Sequence, residues 1–93
     1  MSGDMFLRWE YDKKHREWRY LVDFEGNDEE AYTFAIIQVE PSLGLKAYIP
    51  LKGHKFFEHN QLAEAKEWVE NRMDRQAIFD YVMENIYGME REY

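Results

Sequence analysis

Apolar and polar residues alternate with a period of two along the first half of the chain and switch to helical spacing in the second. From Phe6 to Tyr11, Leu7, Trp9 and Tyr11 alternate with Arg8 and Glu10, the pattern of a strand with one buried face. Asp12-Lys13-Lys14-His15-Arg16 is a polar turn. Glu17 to Phe24 alternates again, with Trp18, Tyr20, Val22 and Phe24 on one side, so the two segments are expected to form a hairpin. Glu25 to Glu30 contains Gly26 and Asn27 and nothing apolar, and reads as a loop. Residues 31–39 are apolar at both parities and rich in β-branched and aromatic side chains, which predicts a central strand covered on both faces. Pro41-Ser42-Leu43-Gly44 is a turn. Leu45, Ala47, Ile49 and Leu51 then alternate with Lys46 and Tyr48, and Pro50 suits the end of a strand or an edge, because it cannot donate to a ladder.

Helical spacing starts near Asn60, a good N-cap, with Leu62, Ala65, Trp68, Val69 and Met73 on one stripe. A second stripe, Ile78, Phe79, Val82, Met83 and Ile86, is rotated by roughly 100° at the helical repeat. One straight helix would present two faces, so a break is expected near Asp74, which can cap the second helix. Gly88 suits a C-terminal stop. The predicted fold is therefore α+β: an antiparallel sheet of about four strands, in the order β-β-β-β-α-α, with two C-terminal helices packed on one face. Residues 1–93 form one domain, with the sheet in 6–51, the helical part in 60–88 and a tail at 89–93. Trp68 is expected to dock the first helix on the sheet.

Composition changes this picture little. Three Trp, seven Tyr and six Phe among 93 residues supply the area that a small core needs. The absence of cysteine excludes disulfides and thiolate zinc sites. The start has no basic and apolar leader, and no apolar run approaches the roughly 20 residues of a membrane span. A cytoplasmic location is expected.

Charge changes it more. The net charge is −7, and it is unevenly placed. Residues 23–45 carry six acids and no base, whereas residues 46–57 carry three lysines and no acid. Phosphate repels such a chain overall, so direct nucleic-acid binding is disfavoured. The acidic run Asp23, Glu25, Asp28, Glu29 and Glu30 lacks the spacing of a calcium loop. It reads either as a solvated loop or as a patch for a basic partner, to which Glu64, Glu67 and Glu70 of the first helix add.

Candidate chemistry is sparse. His54 and His59, with Glu58 or Glu64, have no metal-ligand spacing, and no metal or cofactor is expected. Lys52-Gly53-His54-Lys55-Phe56-Phe57 interleaves bases with aromatics, as single-strand binders do, but its flanks are acidic. The stripe Trp9, Trp18, Tyr20, Phe24 and Phe34 reads as core; an aromatic patch left exposed on the other face would mark an interface. Ser2 and Ser42 are the only serines, and no phosphate loop or nucleophile elbow is present, so an enzyme is not expected. The reading that remains is a small acidic protein-binding module. In type it looks like small proteins of phages and mobile elements, some of which inhibit host nucleic-acid enzymes as DNA mimics, presenting carboxylates where phosphates would sit; no motif carries this likeness. The alternatives are a structural subunit or homodimerising module, and a weak RNA-binding α+β domain.

Overall fold

A computed structural model describes residues 5–24 and 31–87. The alternating segments form the strands β1 (Met5–Asp12), β2 (Glu17–Phe24), β3 (Tyr32–Glu40) and β4 (Gly44–Ile49), and a further strand, β5 (Gly53–Phe57), follows. The helices are α1 (Leu62–Arg72) and α2 (Arg75–Tyr87). All pairings are antiparallel and sequential, giving the order β1-β2-β3-β4-β5. The sheet therefore has five strands rather than about four. Among the described residues no helix is long and apolar enough to cross a membrane.

The fifth strand arises because Pro50 and Leu51 end β4 instead of extending it. They lie in a turn closed by the Lys52 N–H donating to the Ile49 carbonyl at 3.1 Å, and the chain returns as β5. Leu51 (φ +70°) and Gly53 (φ +96°) both take left-handed backbone there. The β5 residues are exposed except for Phe57, so the segment has no apolar alternation by which to be read as a strand.

Both helices lie on the same side of the sheet. That side presents Tyr20 and Val22 of β2, Ala35 and Ile37 of β3, and Leu45, Ala47 and Ile49 of β4, all buried against Ala65 and Val69 of α1 and Ile78 and Val82 of α2. The expectation that β3 is covered on both faces is corrected. Its register on β2 shifts after Tyr20: Tyr20 faces Ala35 while Leu21 faces Thr33, which leaves Phe34 as an extra residue. A bulge of this kind flips the alternation. It lets Phe34, whose ring meets Tyr81 of α2 edge-on at 5.5 Å, join Ala35 and Ile37 in one core. Thr33, Ile36 and Gln38 face the other way and are only partly buried.

The aromatic stripe lies on the helix side. Trp9 stacks on Tyr20 with centroids 4.6 Å apart, and the Trp9 indole N–H donates to Glu70 of α1 at 2.8 Å. The Lys66 ammonium sits 3.9 Å from the Trp18 ring centroid, a cation–π contact that ties α1 to the hairpin. Burial raises the Tyr20 phenol above its ordinary pKa, with the Glu70 charge adding to the shift. Burial does the same at Tyr32, beside Tyr81.

The helix break falls where the two stripes require it. Met73 is extended, and the Asp74 carboxylate accepts the Ala77 N–H at 2.8 Å. Replacing Asp74 by alanine should destabilise the protein by about 1 kcal/mol, the usual effect of losing an N-cap; urea denaturation of the two proteins measures this. The first helix starts differently from expectation. Asn60 is exposed in a turn, Gln61 is the N-cap residue, and the Gln61 amide oxygen accepts the Glu58 N–H at 2.9 Å instead of capping α1. Trp68 is partly buried at the margin of the core, edge-on to Phe57 at 6.2 Å, while Ala65 and Val69 make the buried contact of α1. The expected Gly88 stop and the 89–93 tail lie outside the described residues.

Candidate functional site

Among the described residues no element covers the sheet side away from the helices, the bare face. Two cross-strand rows run its full width. One is Glu10, Arg19, Ile36, Tyr48 and His54; the next is Asp12, Glu17, Gln38, Lys46 and Phe56. Strand alternation places every member of a row on the same face. The rows divide the face into two halves of different chemistry.

The β1–β2 half is charged and self-neutralising. The Arg19 guanidinium pairs with Asp12 at 2.6 Å and with Glu17 at 2.8 Å. Arg8 lies 3.4 Å from Asp23 and 3.6 Å from Glu10. Asp12 also organises the β1–β2 turn. It accepts the Lys14 backbone N–H at 3.0 Å, and the His15 ring lies 2.7 Å from its other oxygen. The His15 hydrogen bond is the main reason the Asp12 carboxyl sits below its ordinary pKa, and the Arg19 charge adds to it.

The β3–β5 half is apolar and aromatic. Tyr48 is 44 % exposed and Phe56 50 % exposed, and the His54 ring lies edge-on to Phe56 at 5.5 Å. Ile36 fills the position beside Tyr48, and Lys46 stands opposite Phe56. Phe6, 52 % exposed, belongs to the same face at the opposite edge of the sheet. None of the described elements covers these exposed aromatic side chains.

The acidic residues singled out from the sequence are dispersed. Asp23 is on the bare face, paired with Arg8. Glu70 is on the helix side, bonded to Trp9. Glu64 and Glu67 are exposed on α1 and line an open groove of about 590 Å³ against β5, together with Lys55, Phe57 and Trp68. Glu25, Asp28, Glu29 and Glu30 lie outside the described residues. The two histidines are also apart in role. His54 packs on Phe56, and the His59 ring nitrogen Nε2 donates to the Glu40 carbonyl at 2.8 Å, pinning the approach to α1 onto the end of β3. Among the described residues no three His, Asp or Glu side chains are grouped to hold a metal ion.

The run Lys52 to Phe57 divides by strand parity. His54 and Phe56 face outward with Tyr48, while Lys55 and Phe57 turn toward α1, with the Lys55 ammonium 5.3 Å from the Phe57 ring. The exposed patch is thus made of residues whose parity is opposite to the long aromatic stripe. The sequence leaves open whether an aromatic patch is exposed on this face; the structure exposes Phe6, Tyr48 and Phe56 there, and the outward parity of Phe56 is set by the Pro50–Lys52 turn. Compared with known family models, curated proteins and solved structures, the chain matches none.

Proposed function

We propose that the protein is a small protein-binding module that docks its bare sheet face on a partner with a basic surface. The observation that carries this is the β3–β5 half of that face, where Tyr48 and Phe56 stand about half exposed beside Ile36 with none of the described elements above them. The aromatics supply contact area, and the net charge of −7 favours a cationic partner and speeds the encounter. Its concrete form is an inhibitor that covers a basic surface of a nucleic-acid enzyme or defence complex. The arrangement supports protein over nucleic acid as the ligand. Both arginines of the face are already paired with carboxylates, which leaves Lys46 as the main cation beside the aromatics.

The test uses the partner recovered by affinity capture and measures binding by surface plasmon resonance. Replacing Tyr48 and Phe56 together by alanine should weaken the complex about thirtyfold or more, the effect of losing hot-spot aromatics, while leaving the fold intact, since neither is in the core. Reversing Asp28, Glu29 and Glu30 to lysine should slow association and flatten its salt dependence. Unchanged affinity in the Tyr48/Phe56 variant would remove the bare face as the site. Tight binding of a single-stranded oligonucleotide by the native protein, lost in that variant, would make the module a nucleic-acid binder instead.

A further inference from the structure

We propose that the protein self-associates through β5, two copies joining their sheets edge to edge about a two-fold axis at Lys55. This inference concerns a different surface from the bare face and stands apart from the partner proposed for it.

The two sheet edges are not equivalent. The β1 edge is guarded: Arg8, Glu10 and Asp12 alternate along it, and the Arg75 guanidinium of α2 donates to the Met5 carbonyl at its start. Charged side chains and occupied backbone groups of this kind discourage strand addition. The β5 edge carries one charge, Lys55, among Gly53, His54, Phe56 and Phe57, and among the described residues no sixth strand pairs with it. It is the edge that offers unpaired backbone groups to a neighbour.

Charge selects the second copy as the occupant. The chain as a whole carries −7 and repels itself, but the β5–α1 corner does not. Lys52, Lys55 and Arg72 there balance Glu58, Glu64 and Glu67. Residues 46–57 carry three bases and no acid, and β5 lies within this stretch, beside a groove lined by two carboxylates of α1. Antiparallel pairing centred on Lys55 sets Lys52 of each copy opposite Glu58 of the other. It places each Lys55 ammonium toward the other copy's Glu64 and Glu67, which offsets the repulsion between the two Lys55. The same register sets His54 opposite Phe56 of the second copy. That repeats across the junction the imidazole–phenyl contact seen within each strand, and it joins the aromatic halves of the two bare faces.

Sedimentation equilibrium of the full chain over a range of concentrations tests the proposal, with two variants. Lys52→Glu/Lys55→Glu places acids against acids, and Glu58→Lys/Glu64→Lys/Glu67→Lys places bases against bases. All of these side chains belong to exposed residues, so thermal melts should confirm that both variants fold. The native protein should sediment as a monomer–dimer equilibrium. Each variant alone should dissociate about tenfold or more readily, since like charges facing each other are penalised. An equimolar mixture of the two should recover the dimer, because every reversed pair is again opposite in sign. A native protein that stays monomeric throughout would overturn the proposal. So would a dimer indifferent to the variants, or a mixture that does not recover.

Discussion

Replacing Gly44 by alanine should destabilise the protein by about 3 kcal/mol or more, read as a shift of the urea midpoint at constant slope. Gly44 opens β4 opposite Glu40, with φ at +106°, where a side chain is strained whatever the space around it. There is also no space. A Cβ at this position would overlap the backbone carbonyl oxygen of Phe57, and a backbone atom cannot swing aside as the end of a side chain can. The two effects add, because relieving the strain would not move the carbonyl and moving the carbonyl would not relieve the strain. The damage should be centred on β4 and β5, since Phe57 is the last residue of the edge strand. Alanine at Gly53, which has a similar φ of +96° but open space around it, should have the smaller effect of backbone strain alone. Equal losses at the two glycines would mean that the close approach to Phe57 contributes nothing.

Replacing Ile37 by alanine should destabilise the protein by about 2–5 kcal/mol, the range for a large aliphatic side chain truncated in a core. Ile37 is 0 % exposed at the centre of the middle strand, paired with Trp18 on one side and Ala47 on the other. Its side chain belongs to the buried cluster that both helices cover, so truncation removes packed volume from the middle of the core. The next residue is the control. Ile36 faces the bare side and is only partly buried, so Ile36→Ala should cost a fraction of this and affect partner binding instead. If the two substitutions were equally destabilising, both faces of β3 would have to be covered, and the bare face would not exist in solution.

That contrast marks the limit of what the sequence shows. Alternation located β1 to β4 closely, and the 100° offset between two helical stripes located the break that Asp74 caps. Residues 31–39 misled because alternation assumes an unbroken register. The Phe34 bulge turns adjacent apolar residues to one side and imitates a strand buried on both. The strand β5 was hidden because an exposed edge needs no apolar alternation, and its residues follow the constraint of a turn instead. The candidate site shares both obscurities. Its aromatics come from the consecutive strands β4 and β5, and cross-strand register, which composition does not encode, brings Tyr48, His54 and Phe56 together. The acids were legible as charge but not as a place: Asp23 and Glu70 serve Arg8 and Trp9 on opposite sides of the sheet.

The sequential strand order bears on how the chain reaches this state. Each strand pairs only with its neighbours in sequence, so the sheet can close hairpin by hairpin. Closing a short loop loses little chain entropy, and topologies rich in such local pairings fold quickly. The helices that cover the core come last in the chain. During synthesis the whole sheet can therefore emerge before its cover does, with Tyr20, Phe34, Ile37 and Ile49 open to water. Exposed apolar strands of this kind aggregate. Residues 23–45, amid the strands that wait, carry six acids and no base, and charges placed among apolar strands oppose their aggregation.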